Sequence, residues 1–335
     1  MKVAVLAPIA WRTPPRHYGP WEQIASSITE GLVARGLDVT LFASGDSVTG
    51  AKLEYVTEKS WEENKKLDPK IWECLHISHL MEQAHKFDII HNHFDFLPLT
   101  YSKLIKTPML TTIHGFSSPN IIPVLKKYND TSHYVAKSHA DKSPESDYIA
   151  TIYNGVDTSR FTFRQQAGKY LLFFGRIHYD KGTYEAIQIA KKTHLPLIIS
   201  GIIQDESYYK NKVKPFINDK DIKYIGSSGP EKRDELLGNA IALLHPINFN
   251  EPFGLSVVES MLCGTPVIAF NRGAMPELIH HKKTGLLVNS INEAISGLRN
   301  INKIDRAECR IWAESKFSHS RMVEEYITVY KEILR

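Results

Sequence analysis

The amino-acid sequence predicts an α/β protein built from two doubly wound, Rossmann-like domains. At 335 residues the chain is longer than a single hydrophobic core usually grows, so two domains of about 150 residues each are expected. Short β-branched apolar runs alternate with amphipathic helical stretches, as in parallel βαβ units. This alternation lapses around residues 157–169 and then restarts, which places a linker there.

The first half of the chain is expected to form one parallel sheet. Between its first two apolar runs, Ile24, Ile28 and Leu32 recur at helical spacing, and Gly36 follows where it can end that helix. Residues 53–70 are charged and aperiodic, so their pattern predicts neither helix nor strand. The predicted strands cover residues 3–7, 39–43, 88–91, 109–113, 133–136 and 149–153.

The second half repeats the alternation and is expected to form a second parallel sheet. After it, Met322, Tyr326, Val329 and Ile333 recur at helical spacing, which predicts a last helix that packs back on the first domain. We therefore expect an N-terminal domain of residues 1–162 completed by 317–335, and a C-terminal domain of residues 168–316. The predicted strands cover residues 170–174, 197–200, 222–225, 241–245, 267–270 and 285–288.

Composition narrows the class of protein. With 42% apolar and 23% charged residues the chain has the balance of an ordinary soluble globular protein. Its opening apolar run is short and meets Trp11 and Arg12 at once, so we interpret it as a buried strand and not as a signal peptide. Three cysteines without paired spacing (Cys74, Cys263 and Cys309) favour reduced thiols and a cytoplasmic location.

Charge is distributed unevenly along the chain. Residues 1–160 carry 17 Lys and Arg against 18 Asp and Glu, whereas the remainder carries 24 against 19. A mildly basic second half suits a phosphate-bearing ligand. Dense basic runs and aromatic stacking motifs are missing from the sequence, so a nucleic-acid partner is not expected.

Two carboxylates eight residues apart form the strongest local signal, in the segment EPFGLSVVE. Glu251 is expected just before a helix and Glu259 two turns inside it, so that together they could grip different parts of one long ligand. The backbone amides of Phe253, Gly254 and Leu255 lie at the predicted helix start, which favours an anion or a sugar oxygen. The alternative is that Glu251 caps the helix and Glu259 is a solvated surface charge.

This segment, with the following MLCGTPVIAFNRGAMPELI, resembles the E-x7-E signature of the family 4 retaining glycosyltransferases of GT-B fold. The resemblance extends over most of the chain and implies two Rossmann-like domains that face each other across a cleft. It implies that the first domain binds the acceptor and the second the nucleotide sugar. The other matching pieces are the Gly19 loop, His114-Gly115, Asn154-Gly155-Val156-Asp157, and Gly175-Arg176 with Lys181-Gly182.

The resemblance assigns the charged residues of the second domain to the donor. It implies that Arg176 and Lys181, after that domain's first predicted strand, neutralise the departing diphosphate in place of a metal ion. It further implies that Glu251 binds donor sugar hydroxyls and that Glu259 binds the ribose hydroxyls. Without the other motifs, Arg176 and Lys181 would be interpreted as surface residues.

Two positions of the first domain are also implicated. Gly19, in Tyr18-Gly19-Pro20, lies between the first strand and the first helix, where a glycine lets backbone approach a phosphate. The family usually has paired glycines here, and Pro20 removes an N–H donor, so the backbone contact rests on Gly19 or the turn only connects strand to helix. The resemblance implies that His114 hydrogen-bonds the donor sugar near its 6-position; alone, it would be a core histidine.

A metal site is an alternative at the end of the predicted strand 88–91, where His91 and His93 lie. Alternate residues of a strand share a face, and imidazoles bind zinc. No third ligand has suitable spacing, so neither a metal nor any other cofactor is expected.

Together these features predict a retaining, metal-independent hexosyltransferase that uses a nucleotide sugar and a glycan or small hydroxylated acceptor. Family frequency favours a UDP-glucose-like donor, with GDP-mannose next, and the base is expected near residues 224–227. The alternatives are a nucleotide-sugar epimerase, a non-catalytic sensor, and a glycosidase-like nucleophile at Glu251. Lys126 and Lys127 beside apolar neighbours allow at most a weak peripheral membrane contact.

Overall fold

The computed structural model describes residues 1–16, 19–115 and 118–335. They divide into two compact units: unit 1 comprises residues 1–155 and 319–335, and unit 2 comprises residues 156–318. Each unit contains one sheet whose strands are all parallel. The prediction of an α/β protein with two Rossmann-like sheets is thus confirmed.

Unit 1 has a seven-stranded sheet in the order β3-β2-β1-β4-β5-β6-β7. Strand β1 has four consecutive buried residues, and β5 is buried along its whole length, as expected for a sheet covered on both faces. The elements are β1 Lys2–Leu6, α1 Pro20–Val33, β2 Asp38–Phe42, β3 Lys52–Glu54, α2 Pro69–Met81, β4 Ile89–Asn92, β5 Met109–Ile113, α3 Ile122–Lys127, β6 His133–Ala136 and β7 Ala150–Thr151.

The unpredicted part of unit 1 lies where the sequence lacks periodicity. Strand β3 is three residues long and only partly buried, so its residues need not alternate in polarity. Helix α2 starts where Asp68 accepts hydrogen bonds from the amides of Lys70 and Ile71, with Pro69 in the first turn. At the other edge, the strand predicted over residues 149–153 shortens to β7.

Unit 2 has a six-stranded sheet in the order β10-β9-β8-β11-β12-β13. All six strands predicted for this half are present, with end positions that differ by one residue at most. The elements are β8 Tyr170–Phe174, α4 Thr183–Thr193, β9 Leu197–Ser200, α5 Glu206–Tyr208, β10 Ile222–Tyr224, α6 Pro230–Gly238, β11 Ala240–His245, α7 Leu255–Leu262, β12 Val267–Phe270, α8 Met275–Leu278, β13 Gly285–Val288, α9 Ile291–Leu298 and α10 Arg306–Phe317.

The chain passes from unit 1 to unit 2 at residues 155–156, before the linker that the sequence predicts at 157–169. That polar segment belongs to unit 2, because its backbone and side chains are bonded there. The Thr162 amide donates to Asp234 over 2.7 Å, and Arg164 forms an ion pair with the same carboxylate over 2.8 Å. Arg310 donates to the carbonyl of Phe161 over 2.6 Å. Residues 157–169 therefore lack apolar periodicity because they form a polar surface segment bonded to unit 2, and not because they are a free linker.

The last helix, α11 His319–Ile333, belongs to unit 1 and packs against α1. A side chain at Gly31 of α1 would collide with Val323, since its Cβ would lie 2.4 Å from the Val323 Cγ2 atom. His319 Nε2 is 2.6 Å from the carbonyl oxygen of Ser27. Within the residues that the structure describes, no helix is long and apolar enough to cross a membrane.

Candidate active site

In unit 2, Lys181 and Glu251 meet at the carboxyl ends of β8 and β11. Lys181 ends a short 3-10 turn, Tyr179–Lys181, and its ammonium donates to Glu251 Oε2. Both side chains are largely buried, with 16% and 10% of their surface exposed, so this is more than a surface pair. The ammonium also lies 4.6 Å from the centre of the Phe249 ring. The structure thus brings together two residues that the sequence places 70 positions apart.

His245, the last residue of β11, completes this group. Its Nε2 atom is 3.8 Å from Glu251 Oε2, and it has no hydrogen-bond partner among the described residues. Burial, opposed by the nearby Glu251 carboxylate, lowers the pKa of His245 to about 4. A neutral, buried imidazole with an unpaired nitrogen therefore lies beside the ion pair.

Arg176 lies five residues before Lys181 in sequence, but its hydrogen-bond partner is not Glu251. It follows β8 and donates to the side-chain oxygen of Gln204. Close backbone packing holds this end of the sheet, because a Cβ on Gly201 would lie 1.8 Å from the carbonyl oxygen of Gly175. Gly201 lacks a side chain, which lets its backbone lie against that of Gly175.

Glu259 is a buried residue of α7, one turn into the helix and not two as the sequence suggests. Its Oε1 atom accepts from Arg233 over 3.1 Å, and the Arg233 guanidinium lies 5.3 Å from the centre of the Phe174 ring. The alternative in which Glu259 is a solvated surface charge is therefore wrong. Gly254 is the N-cap of α7 with φ 109°, and no side chain caps the helix from that position.

Phe253 and Leu255, the other residues predicted to bind the donor at the start of α7, have structural roles in unit 2. Phe253 is buried and packs edge-on against Phe317, with ring centroids 5.9 Å apart. Leu255 is the first residue of α7. The segment before α7 is also held by the loop after β12, because the Ala274 amide donates to the carbonyl of Glu251 over 2.8 Å.

In unit 1, His114 follows β5 and belongs to a set of buried rings. Its Nε2 atom is 2.7 Å from Nδ1 of His93, and its ring is stacked on Trp21 of α1 with centroids 5.7 Å apart. The pKa of His114 is lowered well below the usual value, first by burial and then by the neighbouring His93 and Lys137. The residue presents a neutral imidazole.

Lys137, immediately after β6, holds the backbone around His114. Its ammonium donates to the carbonyl oxygens of Ile113 over 3.0 Å, His114 over 2.5 Å and Gly115 over 3.0 Å. It also pairs with Asp141 at 3.1 Å, and both side chains are almost wholly buried. A buried ammonium with these partners fixes the course of the chain after β5.

His91 and His93 are not paired as metal ligands. His91 Nδ1 is 2.6 Å from the Tyr330 hydroxyl, and its Nε2 is 2.8 Å from the Thr112 hydroxyl, so both ring nitrogens have partners. Among the residues that the structure describes, no group of three or more His, Cys, Asp or Glu side chains could hold a metal ion.

Gly19 precedes α1 with φ 147°, a conformation that favours glycine. Its Cβ position is not open, because a carbon there would lie 2.9 Å from Glu22 Oε2 and 2.9 Å from Pro15 Cβ. Glu22 is buried, accepts from the Trp11 amide over 3.2 Å, and has its pKa raised to about 7 by burial. The predicted neighbour Tyr18 lies outside the described residues.

The sequence did not identify four residues of these clusters: Gln204, Arg233, His245 and Lys137. Two of them had a usable signal, since Lys137 and His245 stand at the carboxyl ends of predicted strands, where ligand-facing polar groups of doubly wound sheets occur. Gln204 and Arg233 are ordinary polar residues of connecting segments, and only their tertiary contacts distinguish them.

Two parallel-sheet Rossmann-like units with polar groups at their strand ends define the GT-B class of fold, and comparison with known proteins agrees. The model of the glycosyl transferases group 1 matches residues 157–306, and that of glycosyltransferase family 4 matches residues 22–160. The chain therefore belongs to the family 4 glycosyltransferases of GT-B fold.

Individual relatives are distant but span most of the chain. An uncharacterised glycosyltransferase of Methanocaldococcus jannaschii is 23% identical and covers 86% of this chain and 85% of its own length. A glycogen synthase of Mycobacterium tuberculosis is 24% identical over 83% of this chain and 80% of its own length. The structure of Anabaena HepE with UDP has a TM-score of 0.78 at 18% identity, covering 99% of this chain and 100% of HepE; HepE is also solved with UDP-glucose.

Proposed function

We propose that this glycosyltransferase transfers a hexose from a nucleotide sugar, with a UDP-glucose-like donor favoured, to a hydroxyl of a glycan or small acceptor with retention of configuration. The observation that carries the proposal is the largely buried Lys181–Glu251 pair beside His245 at the carboxyl ends of β8 and β11. Ligands of open α/β sheets bind outside these strand ends. A fixed cation beside a hydroxyl-binding carboxylate suits a sugar diphosphate.

Charge stabilisation by the protein is the basis of the proposed chemistry. When the bond between sugar and diphosphate breaks, negative charge builds up on the leaving phosphate oxygen. Lys181 supplies a point charge and Arg176 a guanidinium able to bind two oxygens, so no metal ion is required. Both are already held by polar partners, Glu251 and Gln204, which orient them before a ligand arrives.

In the proposed reaction the acceptor oxygen attacks the anomeric carbon on the face that the diphosphate leaves. The bond to the diphosphate breaks as the new glycosidic bond forms, and the leaving phosphate oxygen takes the proton of the acceptor hydroxyl. Glu251 binds donor sugar hydroxyls, and Glu259 binds the ribose hydroxyls. His114 hydrogen-bonds the sugar, and the backbone of Gly19 and of residues 253–255 contributes neutral donors.

The proposed base and sugar of the donor rest on the ligands of a structural neighbour. HepE of Anabaena is solved with UDP, with UDP and glucose, and with UDP-glucose, which favours a uridine nucleotide here. A GDP-mannose-dependent mannosyltransferase is the next candidate. The segment expected to contact the base, residues 224–227, begins at the last residue of β10, where Tyr224 donates its hydroxyl to the carbonyl of Gly201 over 2.9 Å.

Calorimetric titration with UDP, GDP and ADP, first without metal and then with magnesium, tests the donor site. We expect metal-free binding of UDP that weakens at least tenfold in Glu259→Ala, because the ribose loses its carboxylate partner. Glu235→Ala is the control, since Glu235 lies on neighbouring helix α6 with 62% of its side chain exposed. Strict magnesium dependence, or equal losses in both variants, would contradict the assignment.

A product assay separates transfer from epimerisation. Incubation with UDP-glucose and a panel of oligosaccharides and small polyols should yield UDP and a new glycosidic linkage whose anomeric configuration matches that of the donor. A changed nucleotide sugar with no new linkage would support the epimerase alternative. Binding of UDP-glucose without turnover on any acceptor would support a sensor.

A further inference from the structure

His93 and His114 form a hydrogen bond between ring nitrogens, and the surroundings of the two rings indicate which ring donates the proton. We infer that His93 donates its Nδ1–H to His114 Nε2 and thereby holds His114 in the tautomer that carries its proton on Nδ1. His93 is then a positioning residue that acts through His114. The tautomer follows from contacts within unit 1, whereas its consequence for a sugar rests on the proposed function.

Only two neutral arrangements fit a separation of 2.7 Å between these nitrogens. Either His93 donates from Nδ1 to His114 Nε2, or His114 donates from Nε2 to His93 Nδ1. Burial lowers the pKa of His93 to about 3 and holds that of His114 well below the usual value, so both rings are neutral at pH 7. The choice is therefore between tautomers and does not involve an imidazolium.

The second nitrogen of His93 decides between them. Its Nε2 atom is buried and has no partner among the described residues. If His114 were the donor, His93 would carry its proton on Nε2, and an unpaired N–H would be buried at a cost of about 1–3 kcal/mol. If His93 donates, that site is only an unused lone pair, and buried orphan acceptors are better tolerated than buried orphan N–H groups.

With His93 as the donor, the remaining proton lies on Nδ1 of His114, in a ring that is less completely buried than that of His93. His93 is 0% exposed, whereas His114 keeps 6% exposure after the end of β5. Among the residues that the structure describes, His93 is the one hydrogen-bonded to the His114 ring, and it uses the Nε2 atom of His114.

Packing keeps the two rings in this relation. The His93 ring lies between those of His91 and His114, with centroids 4.0 and 5.0 Å away. His91 is fixed by the hydroxyls of Thr112 and Tyr330 through its two nitrogens. Lys137 holds the carbonyl of His114 from the neighbouring strand end. Turning either the His93 ring or the His114 ring would break the hydrogen bond between them.

This tautomer restricts what His114 does chemically. Its Nε2 lone pair is used by His93, and its Nδ1 carries a proton, so the residue has no free lone pair with which to act as a general base. It is a neutral hydrogen-bond donor suited to an oxygen acceptor, such as a sugar hydroxyl or a phosphate oxygen. On the proposed function, His114 orients the donor sugar and takes no proton from the acceptor.

Nitrogen NMR of the full-length protein labelled with ¹⁵N-histidine tests the tautomer directly. Long-range proton–nitrogen correlation spectra distinguish protonated from unprotonated ring nitrogens, and His114→Gln and His93→Gln assign the two rings among the 15 histidines. We expect the proton on Nδ1 in both rings. A proton on Nε2 of His114 overturns the inference, whether or not the protein transfers sugar.

Two variants of similar size test the positioning role. In His93→Asn the side-chain amide can still donate from near the Nδ1 position, whereas His93→Leu cannot. We expect Asn to keep the Nδ1–H form of His114 and kcat/KM within about threefold of wild type. Leu should give mixed tautomers and a loss of about tenfold, the usual value of one hydrogen bond.

Each alternative result has a defined meaning. Equal losses in Asn and Leu with an unchanged His114 tautomer would show a packing role only and overturn the positioning role. If Leu does not fold, the wild-type spectrum alone still decides the tautomer. Absence of transfer by wild type with any donor would reject the proposed function and leave the spectral result standing.

Discussion

The two units share the order of their first six strands but present different chemistry at the carboxyl ends of their sheets. In unit 1, the segments after β4 and β5 place buried neutral histidines, His93 and His114, in contact. In unit 2, the segments after β8 and β11 bring a cation and a carboxylate, Lys181 and Glu251, together beside His245. The sheet order thus fixes where polar groups meet, and the short connecting segments fix whether they are charged.

The largest expected effect comes from the charged group of unit 2. We expect Glu251→Gln to lower kcat/KM for transfer by about a hundredfold or more, because it removes a sugar-binding carboxylate and leaves Lys181 without its partner. His114→Leu should cost only about tenfold, since the hydrogen bond lost there is neutral. Steady-state rates of nucleotide release measure both, with exposed Glu235→Gln as the control. Similar losses at Glu251 and His114 would remove the distinction between the units.

The second prediction concerns the packing of the turns that follow the first strands. Gly182 has φ 74°, and a Cβ there would lie 1.9 Å from the carbonyl oxygen of Pro246. We expect Gly182→Ala to lower the free energy of unfolding by about 3 kcal/mol, from backbone strain and a forced main-chain shift. Urea unfolding, with hydrogen exchange to locate the loss in β8 and β11, measures the change.

Two other glycines are matched controls for Gly182. Gly175 has no atom within 4 Å of its Cβ position, so Gly175→Ala should change stability by less than about 0.5 kcal/mol. Gly19→Ala should fall between the two, since the atoms nearest its Cβ position belong to the side chains of Glu22 and Pro15, which yield more easily than backbone. A Gly182 variant as stable as the Gly175 variant would show that the turn of unit 2 is not closely packed.

A third prediction uses the buried carboxyl of unit 1. Glu22 has its pKa raised from 4.5 to about 7 by burial, so the folded state binds a proton more tightly than the unfolded state does. This group therefore stabilises the fold below pH 4.5, and its contribution is lost as the pH rises through 7. Glu22→Gln should flatten that decline and be the more stable protein at pH 8 by on the order of 2 kcal/mol.

Melting temperatures of wild type and Glu22→Gln at a series of pH values from 5 to 8 test this sign. The exposed Glu145→Gln, on a surface pair with Lys126, is the control and should leave the pH profile unchanged. Parallel profiles for wild type and Glu22→Gln would show that the carboxyl titrates normally.

The smallest expected effect concerns the ring stacked on His114. Trp21→Leu removes an aromatic contact with centroids 5.7 Å apart, and we expect kcat/KM to fall about threefold to tenfold. Trp21→Phe keeps a ring and should lose less. A loss with Trp21→Leu as large as that with Glu251→Gln would indicate that unit 1 contributes more than orientation.

Sequence patterns predicted most strands because both sheets are buried on both faces, which produces apolar runs such as residues 109–113 and 267–270. They did not predict β3, which is short and half-buried, or the partnership of Lys181 with Glu251 across 70 residues. Likewise, Glu259 has Arg233 as its neighbour only because α6 and α7 pack together. Side-chain pairing depends on tertiary packing, which no local pattern contains.

The grouping of α11 with unit 1 has a consequence for synthesis of the chain. Unit 2 is inserted between residue 155 and residue 319, so the first unit to leave the ribosome lacks its final helix until all of unit 2 has been made. Until then His91 lacks the Tyr330 hydroxyl, and the face of α1 that packs against α11 stays uncovered. Vectorial folding therefore favours completion of unit 2 first, and unit 1 is completed only after α11 has been made.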